Sequence, residues 1–129
     1  MNSSAQLSDL QLAVMRVIWD RGEATVAEVH EVLHDQRGLA TTTVATVLTR
    51  LEKRGVLCHR REGRQFVYEP TVSEEEVQRS MVSELADRVF RGDVTELVSH
   101  LLDGRDMSPG DLQRVRALFE ERSRRHPEE

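Results

Sequence analysis

The residues best suited to chemistry in this sequence are short hydroxyl side chains and cations that lie close together between Leu39 and Gly55. Apolar residues in the same stretch recur at helical spacing and predict one buried stripe, formed by Val44, Val47, Leu48 and Leu51. The remaining side chains are short or cationic, and they can approach base edges and phosphates where long acidic chains could not. These candidate DNA-binding residues are Thr41, Thr42, Thr43, Ala45, Thr46, Thr49, Arg50, Lys53 and Arg54.

The end of this predicted helix suits the same chemistry. Lys53 and Arg54 favour both a helix C-terminus and a phosphate group, and Gly55 is the residue type with which helices commonly end. A plain solvated helix face has a similar pattern. Taken alone, the segment therefore leaves DNA reading and an ordinary exposed surface as equal alternatives.

Other reactive groups are sparse. His30 and His34 lie four residues apart and could share a metal ion, but such a site needs further ligands, so a solvated face is favoured. Cys58 lies near arginines and could sense oxidants, although a small buried hydrophobic side chain on a strand is the favoured interpretation. No nucleophile–base pair, glycine-rich phosphate loop or paired-carboxylate motif stands out. We predict no enzyme activity, no metal and no cofactor.

The distribution of charge favours contact with a polyanion in the first half of the chain only. The 129 residues carry a net charge of −5, and the whole deficit arises after residue 71. Residues 37–64, in contrast, contain seven basic residues and two acidic ones. Attraction to phosphate is screened over about 10 Å at 0.1 M salt, so this local excess of cations matters more than the total.

Composition also indicates where the chain works. With 38% hydrophobic residues and 4% aromatic ones, it can form one or two small domains. There is no apolar run of about 18 residues, and Met1–Gln6 lacks a charged start followed by an apolar stretch, so neither membrane insertion nor a signal peptide is predicted. A single cysteine fits a reducing compartment. We expect a cytoplasmic protein.

Helix caps and strand alternation organise the first half of the chain. Ser8 opens a first predicted helix and Thr25 a second, each with a capping-box partner three residues later, and residues 21–24 form the turn between them. The threonine-rich helix is the third. Alternating residues at 56–61 and 65–69 then flank a glycine turn and predict a two-stranded hairpin.

Three helices followed by a basic hairpin is the order of a winged helix-turn-helix domain. In that fold the third helix enters the major groove and the hairpin lies along the DNA backbone. The hairpin arginines are then candidate phosphate contacts: Arg60, Arg61 and Arg64. They could instead be edge-strand charges that prevent aggregation. Their position after the threonine-rich helix favours the phosphate-binding role.

The second half has the pattern of a helical dimerisation domain. Helix-start patterns at Ser73, Asp93 and Ser108 predict three amphipathic helices. So short a segment has little core of its own, and pairing with a second copy is favoured over folding back on the winged domain. The predicted dimer residues are Val77, Met81, Leu85, Val89, Leu97, Leu101, Leu112, Val115, Leu118 and Phe119.

The predicted fold is therefore mostly α-helical with a small β-hairpin. Residues 1–71 are predicted to form the winged helix-turn-helix domain, and residues 72–129 the C-terminal helical dimerisation domain.

Four segments resemble the BlaI/MecI family of penicillinase repressors in order and spacing: residues 12–19, 25–29, 42–55 and 63–70. The resemblance covers nearly the whole chain. It implies a homodimeric transcriptional repressor that binds a DNA operator, an inverted repeat with a TACA-type core, in front of β-lactam resistance or related genes. It also implies a membrane-bound metallopeptidase sensor as a partner, whose activation leads to proteolysis of the repressor.

Two departures from the family pattern concern specificity and induction. Thr42 and Ala45 stand where members often carry Lys or Arg, so we expect a variant operator. The family's scissile Asn-Phe pair aligns near His100 and Leu101, and neither residue matches. We predict that any such cleavage lies elsewhere or does not occur.

A second class of function has the same fold. Winged domains also serve as protein–protein interaction modules that bind no DNA. The excess of cations in residues 37–64 argues against that alternative, and a DNA-binding repressor is the function that we predict.

Overall fold

Helices predominate in the computed structural model, which describes residues 6–104 and 107–125. The elements in chain order are α1 (Asp9–Arg21), β1 (Ala24–Thr25), α2 (Val26–Arg37), α3 (Thr41–Lys53), β2 (Leu57–Glu62), β3 (Gln65–Pro70), α4 (Glu74–Phe90), α5 (Val94–Asp103) and α6 (Pro109–Arg125). The predicted mostly helical fold with a small β element is confirmed. Residues 1–5, on which the signal-peptide prediction largely rests, lie outside the described part of the chain.

The chain forms two compact units, which we call unit 1 (Met1–Glu84) and unit 2 (Leu85–Glu129). Unit 1 contains the three helices, the sheet and the beginning of α4. Unit 2 contains the end of α4 together with α5 and α6. The division between the units lies within α4, after the boundary that we predicted at residue 71.

Reciprocal side-chain caps begin the first two helices, as predicted. The Ser8 amide donates to Gln11 and the Gln11 amide to Ser8, at 3.0 and 3.1 Å. The same exchange joins Thr25 and Glu28, at 2.9 and 3.2 Å. Helix α3 differs, because its N-cap residue is Ala40 and no side chain caps it. The backbone N–H groups in the first turn of α3 therefore donate to no side chain of the N-cap residue.

The end of α3 is a tight junction with the sheet. Gly55 adopts φ = 83°, a left-handed conformation that glycine reaches without steric cost. The Gly55 amide donates to the Glu52 carbonyl at 3.0 Å, and the Val56 amide donates to the Leu51 carbonyl at 3.2 Å. Val56 is fully buried and leads directly into β2. The predicted helix stop at Gly55 is confirmed.

The sheet has three antiparallel strands in the order β1-β3-β2. Strands β2 and β3 pair from Leu57 opposite Pro70 to Glu62 opposite Gln65, which is the predicted hairpin. The prediction of two strands was incomplete, because Ala24 opposite Tyr68 adds a short third strand. Ala24 was assigned to a turn, since a two-residue strand exists only through its pairing with distant β3.

The core of unit 1 is entirely apolar among the described residues. Its largest fully buried side chains include Met15 of α1, Leu33 of α2 and Leu48 of α3. Val77 of α4 joins this core with 1% of its surface exposed, and Met81 packs against its edge. The start of α4 is thus held by the winged part of the chain.

Unit 2 buries little of its apolar surface within the chain. Among its described residues, Ala86 and Leu97 are the buried hydrophobic ones. The predicted starts of α5 and α6 are confirmed, because Asp93 accepts the Glu96 amide at 3.0 Å and Ser108 accepts the Asp111 amide at 3.0 Å. The remaining large apolar side chains of these helices are mostly exposed.

Candidate nucleic-acid interface

Helix α3 has a buried face and a polar face, as its spacing predicted. Val44, Leu48 and Leu51 are fully buried, and Val47 is 8% exposed. Thr43 and Ala45 are half-buried at the border between the two faces. The residues of the exposed face are Thr41, Thr42, Thr46, Thr49, Arg50 and Lys53. One side of α3 thus offers hydroxyl groups and cations to a ligand.

Thr49 is partly engaged by its surroundings. Its hydroxyl donates to the Ala45 carbonyl one turn earlier, at 3.0 Å. Burial first, and then the charge of Glu52, raise the pKa of Tyr68, and the neighbouring Thr49 side chain opposes this shift. The Thr49 hydroxyl is thus bonded within its own helix, on the side of α3 that is near Tyr68 of β3.

A link between α3 and the hairpin is made by His59 of β2. Its Nδ1 lies 2.7 Å from Oε1 of Glu52 in α3. The His59 ring stacks on Phe66 with 4.2 Å between ring centroids. Phe66, 40% exposed, was not among the predicted residues, although an aromatic residue next to the turn of a basic hairpin is a recognisable signal. The contact between His59 and Glu52 thereby holds the hairpin against α3.

The tip of the hairpin and the start of α3 meet in one cleft. Arg61, Arg64 and Phe66 line it from the hairpin, Thr41 lines it from α3, and α2 contributes its first turn and His30. The Arg61 guanidinium carbon lies 5.8 Å from the centre of the Phe66 ring, within range of a cation–π contact. This cleft brings predicted residues from both elements to one surface.

Four cations of this surface have no acidic partner among the ion pairs of the described residues: Arg50, Lys53, Arg61 and Arg64. Unpaired exposed cations of this kind are suited to release counterions from a phosphate backbone.

Arg54 and Arg60, which we also predicted to bind DNA, are engaged within the chain. Arg54 is half-buried, donates from Nη1 to Oε1 of Gln11 at 3.0 Å, and donates from Nη2 to the Gln6 carbonyl. Arg60 is surrounded by three glutamates. The partners at Gln6, Gln11 and Glu23 are far away in sequence, so residue spacing could not reveal these contacts.

The remaining chemical candidates do not assemble into a reactive site. The His30 and His34 rings lie 5.3 Å apart, but no group of three or more potential metal ligands occurs within the described residues. The expectation that Cys58 is buried is wrong: its side chain is exposed. Leu57, 2% exposed, occupies the core side of the strand, and the next residue points the other way.

The predicted dimer residues are distributed unevenly. Val77 and Leu97 are buried, and Met81 and Val115 are half-buried. The exposed ones are Leu85, Val89, Leu101, Leu112, Leu118 and Phe119. Val82, 55% exposed, was missed, although its spacing to Leu85 and Val89 was a usable signal.

Helices α5 and α6 enclose an apolar groove of about 430 Å³ within unit 2. Leu101, Leu118 and Phe119 line it, as do Val98, Leu102 and Met107, which the predicted set did not include. No helix in the described ranges is long and apolar enough to cross a membrane.

Comparison with known proteins places the chain in a family. Residues 7–121 match the family model of the penicillinase repressor. The chain is 30% identical to the penicillinase repressor of Bacillus licheniformis, over 99% of this chain and 100% of the relative. It is 38% identical to the transcriptional regulator BlaI of Mycobacterium tuberculosis, over 89% of this chain and 84% of the relative.

A solved structure agrees with these sequence relatives. The solution structure of the DNA-binding domain of the repressor BlaI is 39% identical, with a TM-score of 0.53, and the match covers 59% of this chain and 93% of that domain. The winged helix-turn-helix prediction is confirmed. The chain belongs to the penicillinase repressor family, as the resemblance of its sequence segments implied.

Proposed function

We propose that this transcriptional repressor binds operator DNA with the exposed face of α3 in the major groove and with the hairpin of β2 and β3, the wing, along the DNA backbone. The observation that carries the proposal is the cleft in which Thr41 of α3 meets Arg61 and Arg64 of the wing. A duplex lying across this surface would contact both elements at once. The likeness to the DNA-binding domain of BlaI supports the same role.

The exposed side chains divide into two groups by chemistry. Thr42 and Thr46 carry short hydroxyl groups that can reach base edges, and they are the proposed sequence readers. Lys53, Arg61 and Arg64 carry the charges that bind phosphates of any sequence. A protein–protein interaction module is not favoured, because the relatives are repressors.

Fluorescence anisotropy with genomic fragments at several salt concentrations tests this assignment. Arg61→Ala and Arg64→Ala should weaken binding to all fragments, and each should reduce the slope of log K against log[salt] by about 0.9. Thr46→Val should change the ranking of fragments and leave the slope unchanged. Arg79→Ala, which removes an exposed charge from α4, is the control. If the wild-type protein binds no fragment in a salt-sensitive way, DNA binding is refuted.

The proposed binding form is a homodimer on an inverted repeat that controls β-lactam resistance or related genes. The apolar groove of unit 2 and exposed side chains such as Leu118 and Phe119, 53% and 57% exposed, support a second copy as the partner of this unit. Two-fold symmetry in the protein matches two-fold symmetry in the operator.

Sedimentation velocity tests the dimer. Leu118→Glu should convert the dimer to a monomer and weaken operator binding, because a charge would enter the apolar contact. Gln113→Glu, an equal charge change at an exposed polar position of α6, should leave the dimer intact. A wild-type protein that stays monomeric at micromolar concentration would contradict this part of the proposal.

A membrane-bound metallopeptidase sensor is the partner that the family resemblance implies for induction. The His100–Leu101 bond lies inside α5, where a protease must first unfold the helix to reach it. We expect no cut at this bond when the chain is co-expressed with a sensor from its own genome. Fragment masses give the answer, and a fragment that ends at His100 would refute this expectation.

A further inference from the structure

Arg60 of β2 is the most heavily bonded side chain of the wing. Its Nε and Nη2 donate to Oε2 of Glu62 at 2.9 and 2.7 Å, and Nη1 donates to Oε2 of Glu69 at 2.6 Å. Nη1 and Nη2 also donate to the two carboxylate oxygens of Glu23, at 2.9 and 3.0 Å. A guanidinium has five N–H groups, and here all five have acceptors.

These contacts join all three strands of the sheet. Glu62 lies on β2 with Arg60, Glu69 lies on β3, and Glu23 immediately precedes β1. The pair with Glu23 is a two-point fork, the geometry in which an arginine holds a carboxylate most specifically. Strand β1 has only two residues, so this fork reinforces a short pairing.

The charges around Arg60 oppose a phosphate. Three carboxylates surround one guanidinium, which leaves a net negative charge on this face of the wing. The hydrogen bonds to Glu23 and Glu62 raise the pKa of Arg60, and the bond to Arg60 lowers the pKa of Glu23, so both groups stay charged at neutral pH.

The opposite face of the wing has a different charge. Successive residues of a strand point to opposite sides, so Arg61 lies on the other face, with its cross-strand partner Phe66. Arg61 has no carboxylate partner among the ion pairs of the described residues. One wing thus has one acidic face and one cationic face.

We infer that Arg60 is a positioning residue for DNA binding: through the fork with Glu23 it fixes the wing so that the face of Arg61 meets the phosphate backbone. Arg60 itself contacts no phosphate. This inference rests on the proposed function, since it assigns a task within the same DNA-binding surface.

Charge-conserving variants separate positioning from phosphate contact. Lys cannot form the fork but binds phosphate well, and Asp at position 23 keeps the charge but is one methylene too short for the fork. We expect Arg60→Lys and Glu23→Asp each to weaken operator binding by about threefold to tenfold, with the salt slope unchanged. The double variant should lose no more than either single variant, because both act through one contact. Arg79→Lys is the control on α4.

Two results would overturn the inference. In the first, Arg60→Lys binds the operator as the wild-type protein does, while Arg60→Ala lowers the salt slope by about 0.9, as expected for a phosphate contact. In the second, the amides of β1 and β3 exchange hydrogen at the wild-type rate in both Arg60→Lys and Glu23→Asp. We expect faster exchange in both variants and not in Arg61→Ala. The exchange measurement needs no DNA. A failure of this inference can therefore be told apart from a failure of the proposed function, in which the wild-type protein would bind no DNA.

Discussion

The indole Nε1 of Trp19 donates a hydrogen bond to the carbonyl of Val72, at 2.9 Å. This contact joins α1 to the segment between the sheet and α4. It lies within unit 1 and connects residues that are far apart in sequence, so it helps to hold the start of α4 on the winged core.

Replacing Trp19 with Phe should therefore destabilise unit 1. The variant keeps an aromatic ring but leaves the Val72 carbonyl without this donor, which should lower the free energy of unfolding by about 1 kcal/mol. Urea unfolding followed by circular dichroism measures the change. An unchanged midpoint would mean that this hydrogen bond does not contribute to the free energy of unfolding.

The position of Val77 distinguishes a core residue from a dimer residue. It is 1% exposed in the core of unit 1, so Val77→Ala should destabilise that unit by about 2 kcal/mol, at any protein concentration. Trp19 is the single tryptophan and lies in unit 1, so its fluorescence reports this unfolding. Val94→Ala, at a position that is 59% exposed and outside the predicted dimer set, is the matched control and should have little effect. A loss in Val77→Ala that disappears at high protein concentration would assign Val77 to the dimer contact that we predicted.

Arg91 provides a test of backbone strain in unit 2. It has φ = 54°, a left-handed conformation that costs a residue with a side chain about 1–2 kcal/mol. Glycine removes this cost, but it also increases the entropy of the unfolded chain, and this offsets about 0.4–1 kcal/mol of the gain in stability. Arg91→Gly should thus raise the thermal midpoint slightly. The control variant Gln78→Gly, inside α4, should lower the thermal midpoint. A lower midpoint for Arg91→Gly as well would contradict the proposal that the backbone at Arg91 is strained.

The start of α6 should depend on pH through Asp111. Its pKa is lowered from 3.8, first by the hydrogen bond from the Ser108 backbone amide, then by Arg114 and by the Ser108 hydroxyl. A lowered pKa means that the carboxylate stabilises the folded state above the ordinary pKa, and this contribution is lost as the pH falls through the folded value.

Carbon-detected NMR of the Asp111 carboxyl group measures this directly. Arg114→Ala should move the Asp111 pKa part of the way back towards 3.8, because the backbone hydrogen bond from Ser108 remains. Arg116→Ala, on the same helix, should leave the pKa where it is. An Asp111 that titrates at 3.8 in the wild-type protein would show that the cap is not formed in solution.

Features that depend on neighbours in sequence could be predicted. The caps at Ser8 and Thr25 need a partner three residues away, and the stripe from Val44 to Leu51 needs only helical spacing, so both were correct. The exposed face of α3 follows from the same stripe.

Features that depend on residues far away in sequence could not be predicted. Strand β1 exists because Ala24 pairs with Tyr68, and Arg60 is occupied because Glu23 lies across the sheet from it. A list of arginines in a hairpin does not distinguish the one held by carboxylates from those that remain available. The burial of Val77 likewise depends on the winged core, since its helical spacing suits a dimer seam equally well.

The junction at Gly55 has a consequence for operator choice. Because α3 ends at Lys53 and β2 begins at Leu57, with Val56 buried in the core between them, the connection between the helix and the wing is short and anchored. In the proposed binding mode, this connection sets the distance along the duplex between the base that Thr46 would contact and the phosphate that Arg61 would contact. A repressor bound in this way would tolerate little change in that distance between the two contacts.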